Sequence, residues 1–483
     1  MKRILISTIA VSALLFNVSC DTNFDQDVND VVVSKGDADF TKYVALGNSL
    51  TSGYRDNALY IDGQNESFPN MIAKQMQLAG GGAFKQPLMP NNTGGFTNLG
   101  VAGKLQLQVI EGSLQPVPSP AGGNLDMIQA GGPYQNLGVP GAKSFHLGAA
   151  GYGNTAGLST GKANPYYARF ATSATSSVIA DALAQNPTFF SLWIGNNDIL
   201  SYSTSGGAGV DQTGNTNPAT YGSNDITDPN VFAAAISGYV NALTAKGAKG
   251  VMANIPNVTS IPYFTRVPAM PIPGTPEAVT QLNAGYAAYN NGLGQARAGG
   301  LITEAEYKQR LIKFTLGVAN GAVIVDKELT NLSALGIPSY RQTTSKDLIL
   351  LPASAVLNPK AGGGTSVPLV DGFVLTEKET ARVITATAAY NASLKAIATS
   401  KGLAFVDANA KMIELSKASG IQFDGVKYTA TFVTGGTFSL DGVHLTGRGY
   451  ALIANEFIKS INAKYHSTLP LVNVNSYSGV EFP

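Results

Sequence analysis

Five short, almost continuously apolar runs punctuate the chain: YVAL at 43–46, one ending in QNLG at 135–138, FFSLWI at 189–194, GVMANI at 250–255 and LAFVD at 403–407. Strands without polar alternation cannot lie on a half-wetted sheet, because both of their faces need apolar cover. Between these runs the pattern changes to a helical period. Asp228-Pro229 reads as an N-cap with proline in the first helical position, followed by Phe232, Ile236, Tyr239 and Leu243. Thr376 and Glu379 form a capping box ahead of Val383, Ala386, Tyr390, Leu394 and Ile397, and Gly402 ends that helix just before LAFVD. Strand–helix–strand alternation of this kind predicts an α/β protein, a three-layer α/β/α sandwich around a central parallel sheet of about five strands.

The joints between these elements are long. Segments 56–133, 200–227 and 258–375 are rich in Gly, Pro, Asn, Ser and Thr and exceed ordinary connections. They carry patterns of their own, such as the helical EAVTQLNAGYAAYNNGL and the strand-like AVIVD and DLILL. They read as insertions into one domain spanning 40–466, followed by a tail at 467–483, with no second domain and no internal repeat.

The first twenty residues, MKRILISTIAVSALLFNVSC, begin with Lys2-Arg3, continue through an apolar run and end in Ser19-Cys20. That run is too short for a bilayer span and has the layout of a signal peptide, 1–19. Cys20 is the sole cysteine, which excludes an internal disulfide. Its position after the apolar run resembles a bacterial lipobox, implying lipidation at Cys20 and an outer-membrane lipoprotein anchored in the cell envelope. Residues 20–39 lack periodicity and are expected to form a flexible tether. Thirty-two basic against 31 acidic residues give a charge of +1, with no basic cluster for a nucleic-acid partner.

YVAL runs directly into Gly47-Asn48-Ser49-Leu50, with Gly53 close behind. A serine on a glycine-flanked turn at the carboxyl edge of a strand is where an α/β protein places a nucleophile. Three histidines exist, His146, His444 and His466. Only His444 has an acidic neighbour in register, Asp441 three residues earlier, ahead of an amphipathic helix through Tyr450, Ile453, Phe457 and Ile461. His146 is expected to be structural and His466 exposed. Oxyanion donors are expected beyond neighbouring strands, where Asn197 follows FFSLWIG and Gly141 lies in NLGVPGA.

In chain order, GNSLTSG, NLGVPGA, IGNND and DGVH resemble the sequence blocks of the SGNH/GDSL hydrolase family. SFPNMIAKQM and HLTGRGYALIA resemble that family's segments after its first block and into its last helix. The resemblance implies a flavodoxin-like hydrolase fold with Ser49 as nucleophile, His444 as base and Asp441 as its orienter. It also implies an oxyanion hole made by the Ser49 N–H, Gly141 and Asn197. Asn48 departs from the family's usual Asp in G-D-S-L, so the geometry of that turn is a question for the structure.

Gly157-Leu158-Ser159-Thr160-Gly161 matches a nucleophile elbow but has loop on both sides, so it is rejected. Gly161-Lys162 lacks the remainder of a P-loop. No histidine–carboxylate cluster has metal-ligand spacing, and neither metal nor cofactor is expected. Trp193 is expected to pack in the core. The implied activity is that of a secreted, lipid-anchored serine esterase or lipase-like acylhydrolase acting on a lipid or an acylated glycan. A glycan O-deacetylase of the same mechanism and a non-catalytic binding lipoprotein on the same fold remain open. The apolar stretches GGGAFKQPLMP and DLILLPASAVL are expected to line an acyl groove.

Overall fold

A computed structural model describes residues 32–110, 112–358 and 362–483. The signal peptide, Cys20 and the tether up to residue 31 lie outside the described residues. The five apolar runs form one parallel sheet: β1 (Tyr43–Gly47), β2 (Asn136–Gly138), β3 (Phe189–Trp193), β4 (Lys249–Ala253) and β5 (Ala404–Val406). Their spatial order is β2-β1-β3-β4-β5. Register runs Tyr43↔Phe189 to Gly47↔Trp193 and Ala45↔Asn136 to Gly47↔Gly138. The chain passes from β1 to β2 on one side and then crosses back to β3 on the other side of β1, so a topological switch point lies between the carboxyl ends of β1 and β3, where such sheets bind ligands.

Every residue of β1 and β3 is buried, as strands covered on both faces must be. Alternate side chains meet different helices. On one face Trp193 packs edge-on against Phe68 at 5.5 Å, and Phe68 stacks on Phe457 at 4.8 Å. These rings belong to α1 (Phe68–Leu78) and α7 (Gly447–Tyr465). α2 (Val178–Ala184) packs near β1, and α3 (Asn197–Thr204) leads away from β3. α4 (Pro229–Thr244) and α5 (Glu377–Ser400) join through Phe232 and Tyr390, stacked at 4.3 Å. α4 starts because Asp228 accepts from the N–H groups of Asn230 and Val231, and α5 because Thr376 and Glu379 close a capping box. α6 (Ala408–Leu415) follows β5 directly.

One expectation about the framework needs correction. Residues 32–39 are not a free tether: Ser34 and Thr468 exchange hydrogen bonds, Asp37 N–H donates to Tyr465 O at 2.7 Å, and Ala38 is buried. The segment lacks periodicity because its bonds go to a distant partner instead of to itself. Residues 467–483 likewise pack back, burying Leu469, Val472 and Val474 and bringing Ser478 to Arg55. Insertion 258–375 gathers an apolar cluster of its own around Ile272, Phe314, Ile324 and Ile349. Its helical stretch forms two helices, Pro276–Gly285 and Ala287–Ala298, on either side of Tyr286. AVIVD and DLILL supply strands at Val323–Val325 and Leu348–Ile349.

Candidate active site

The serine turn is built by what surrounds it. A Cβ at Gly47 would collide with Thr51 Oγ1 and the Trp193 carbonyl, so only glycine fits where β1 meets the turn. Asn48 then caps a single helical turn, Ser49–Ser52, accepting from Leu50 N–H at 3.1 Å. Gly53, at φ +83°, ends it. Asn48 therefore performs the capping through its side-chain oxygen. Its Nδ2 is buried without a hydrogen-bond partner among the described residues.

His444 arrives from the turn before α7. Gly442 there adopts φ +70° beside the Tyr263 backbone, a conformation that favours glycine. Asp441 Oδ1 accepts from the N–H groups of Val443 and His444, both at 2.8 Å. Asp441 Oδ2 meets His444 Nδ1 at 2.8 Å, and His444 Nε2 meets Ser49 Oγ at 2.8 Å. With Nδ1–H donating to the carboxylate, Nε2 is left as the acceptor for the serine hydroxyl. Burial opposes charge on Asp441, but His444 and the hydrogen bonds from His444 and Val443 outweigh it, holding the carboxyl well below its ordinary range.

Two further donors hold Asp441, and neither is readable in the sequence. Asn57 N–H reaches Oδ2 at 2.9 Å and Ser439 Oγ lies 3.1 Å from Oδ1. Asp56 and Asn57 both adopt left-handed φ, +52° and +60°, in a tight turn closed by Arg55 and Ala58. The Asp56 carboxylate accepts from Leu440 N–H at 3.0 Å, tying that turn to the Asp441 segment. Tyr54 packs its ring 4.7 Å from the imidazole. The only signal for this buttress is the Asp-Asn pair itself, which tolerates left-handed backbone.

The three expected oxyanion residues converge on the same sheet edge. Val139 N–H donates to Gly47 O at 3.0 Å, so the turn carrying Gly141 hangs beside the serine turn. Gly141 takes φ +81°, while Asn164 Nδ2 holds the neighbouring Pro140 carbonyl at 2.8 Å. Asn197 Nδ2 donates to Ala142 O at 2.9 Å, leaving its second N–H for another acceptor. Among the described residues, neither the Ser49 N–H nor the Gly141 N–H has an acceptor. Asp198, the residue after Asn197, is fully buried and clamps Ser144 through its N–H at 2.8 Å and hydroxyl at 2.6 Å. The loop after β2 is thereby fixed to the start of α3. Burial pushes the Asp198 carboxyl up despite those hydrogen bonds and Lys143.

An apolar groove opens at Ser49 and His444 and includes Asn197 and Trp193 in its lining. The two insert stretches expected to line it do not. Phe84 of the first stacks on Tyr43 at 5.1 Å, and Ile349 and Ala353 of the second belong to the insertion's own cluster. The groove walls come instead from α6, α7 and the loop after β4. Trp193 does pack in the core, donating from Nε1 to Asn254 O at 3.0 Å, and also borders the groove. Ser159 lies exposed on a surface 3-10 turn. His146 accepts from Lys143 N–H at 3.1 Å and stacks on Tyr152 at 4.6 Å. His466 is exposed and pairs with Asp37 at 2.7 Å. No protein-family model, no curated protein and no solved structure matches this chain.

Proposed function

We propose that the chain is a serine hydrolase of carboxylic esters, an esterase or acylhydrolase of the SGNH/GDSL type that forms an acyl-enzyme on Ser49. The observation that carries this reading is the unbroken relay from Asp441 through His444 to Ser49, with 2.8 Å at each step. A binding protein on the same fold would have no need to align the three. The strand order β2-β1-β3-β4-β5 supports the flavodoxin-like sandwich that the sequence blocks imply.

In this reading His444 Nε2 takes the Ser49 proton as Oγ bonds to the ester carbonyl carbon. The carbonyl oxygen becomes an oxyanion that the free N–H groups of Ser49 and Gly141 and the second N–H of Asn197 are arranged to receive. Asp441 fixes the imidazole tautomer and stabilises the imidazolium. As the tetrahedral species collapses, the imidazolium hands its proton to the leaving alcohol. Water, deprotonated by the same nitrogen, then attacks the acyl-enzyme, releases the acid and restores the Ser49 hydroxyl. The proposal extends to an envelope lipoprotein anchored at Cys20. No helix among the described residues is long and apolar enough to cross a membrane.

The test is hydrolysis of p-nitrophenyl acetate by the chain lacking its first 20 residues, beside Ser49→Ala. Loss of a triad member is expected to cut kcat at least ~10³-fold. Equal turnover by the two proteins would refute the assignment of the nucleophile.

A further inference from the structure

Two helices face each other across the groove beyond Ser49. α6 presents Ala408, Met412 and Leu415, and α7 presents Gly449, Leu452 and Ile453. These positions recur at three- and four-residue steps, so each helix lays one apolar stripe along the groove. From Gly449 to Glu456 the α7 stripe runs ~10 Å, at the rise of an α-helix. That distance spans about eight carbon–carbon bonds of an extended chain. Glu456 is the lining residue farthest along α7, and its carboxylate meets Lys411 Nζ of α6 at 3.6 Å, bridging the two walls.

Polar lining residues are few. Asn48, Ser49, Asn196, Asn197 and His444 belong to the catalytic turns, and away from them stand only Thr437 and the Lys411–Glu456 pair that joins α6 to α7. A sugar ring placed between the stripes would bury hydroxyls that the walls cannot pair, which is costly. A hydrocarbon chain needs no partner there and gains about fourfold in affinity for each methylene it buries.

We infer that this groove is a subsite for the unbranched hydrocarbon chain of an ester, limited near eight to ten carbons by the Lys411–Glu456 bridge. The inference rests on the esterase reading of Ser49, and it favours an aliphatic ester over an acetylated glycan. The chain can belong to the acyl group or to the alcohol, since both lie against the reacting carbonyl.

The experiment compares p-nitrophenyl acetate, octanoate and palmitate with methyl and octyl acetate, in wild type, Leu452→Asn and Ser49→Ala. In one series kcat/KM is expected to climb at least tenfold from the short chain to eight carbons, and the climbing series identifies the acyl or the alcohol side. Palmitate should fall below octanoate if the acyl side is the one held, and Leu452→Asn should lower the eight-carbon advantage at least tenfold. Trp193, the only tryptophan, borders the groove, so its emission in the Ser49→Ala protein gives a readout free of catalysis. Octanoate or octanol should change it saturably, and acetate should not. Flat series with Ser49-dependent acetate turnover intact would remove the subsite and leave the esterase. Turnover that survives Ser49→Ala, or no turnover at all, would remove the esterase reading. A silent Trp193 titration would overturn the subsite independently.

Discussion

His146 is the perturbation that tests how the loop carrying Gly141 is held. It sits in the segment after β2 that carries Gly141, with its ring stacked on Tyr152 at 4.6 Å and its Nδ1 accepting from Lys143 N–H. Burial, and then the nearby Lys143 ammonium, pull its pKa from 6.5 down to about 4. A base with a depressed folded pKa is neutral in the fold but protonated in the unfolded chain between those values. Its contribution is therefore complete above pH 6.5 and is lost as pH falls towards 4. The interval corresponds to at most about 3 kcal/mol. Glu379 acts in the opposite sense, since burial pushes its carboxyl up to about 7 and the stability it confers is lost as pH rises. Both proteins of a wild-type and His146→Gln pair keep Glu379, so the difference between them isolates His146. Glutamine can still accept from Lys143 N–H without titrating. Urea unfolding followed at Trp193 from pH 7.5 to 4.5 should show wild type losing about 2–3 kcal/mol more than His146→Gln over that range. Matching slopes, within about 0.5 kcal/mol, would refute the claim that a neutral imidazole is required there.

Asn197→Ala should lower kcat by ~10²–10³ with little change in KM, as expected for a donor used mainly in the transition state; steady-state kinetics on p-nitrophenyl octanoate checks it. Asp441→Asn should cost about 10⁴ in kcat, because the amide can hold the wrong imidazole tautomer; burst kinetics would show acylation slowed. Asn48→Ala loses a cap worth about 1 kcal/mol but also removes an unpartnered buried amide, so its net destabilisation should stay below that figure. A midpoint shift in urea implying more than about 2 kcal/mol would show that Asn48 does more than cap the turn.

The framework was legible because each strand is buried on both faces and so writes itself as an unbroken apolar run. YVAL and FFSLWI need no partner to be recognised, and Asp228-Pro229 and Thr376–Glu379 mark helix starts by local chemistry alone. Ser49, Asp441 and His444 could be read as candidates from local pattern: Ser49 from its glycine-flanked turn at a strand end, and Asp441 and His444 from their three-residue spacing ahead of a helix. The buttress could not. Asn57 supports Asp441 across 384 residues of sequence, through a backbone N–H that any residue possesses. The groove was placed on the wrong segments because apolarity alone does not say which core a run joins. Ile349 and Ala353 went to the insertion's cluster, while Met412 and Leu452 faced the groove from helices whose periodicity suits core and groove equally. Residues 32–39 read as a tether because their partners, around Tyr465, lie far off in the chain.

The central claim is that Ser49 is a nucleophile activated by His444. Its most direct measurement is intact mass after exposure to a fluorophosphonate, with the modified peptide sequenced. One adduct is predicted per chain, on Ser49, absent from Ser49→Ala and formed far more slowly by His444→Ala. Labelling of any other serine, or none in a folded protein, would contradict the account.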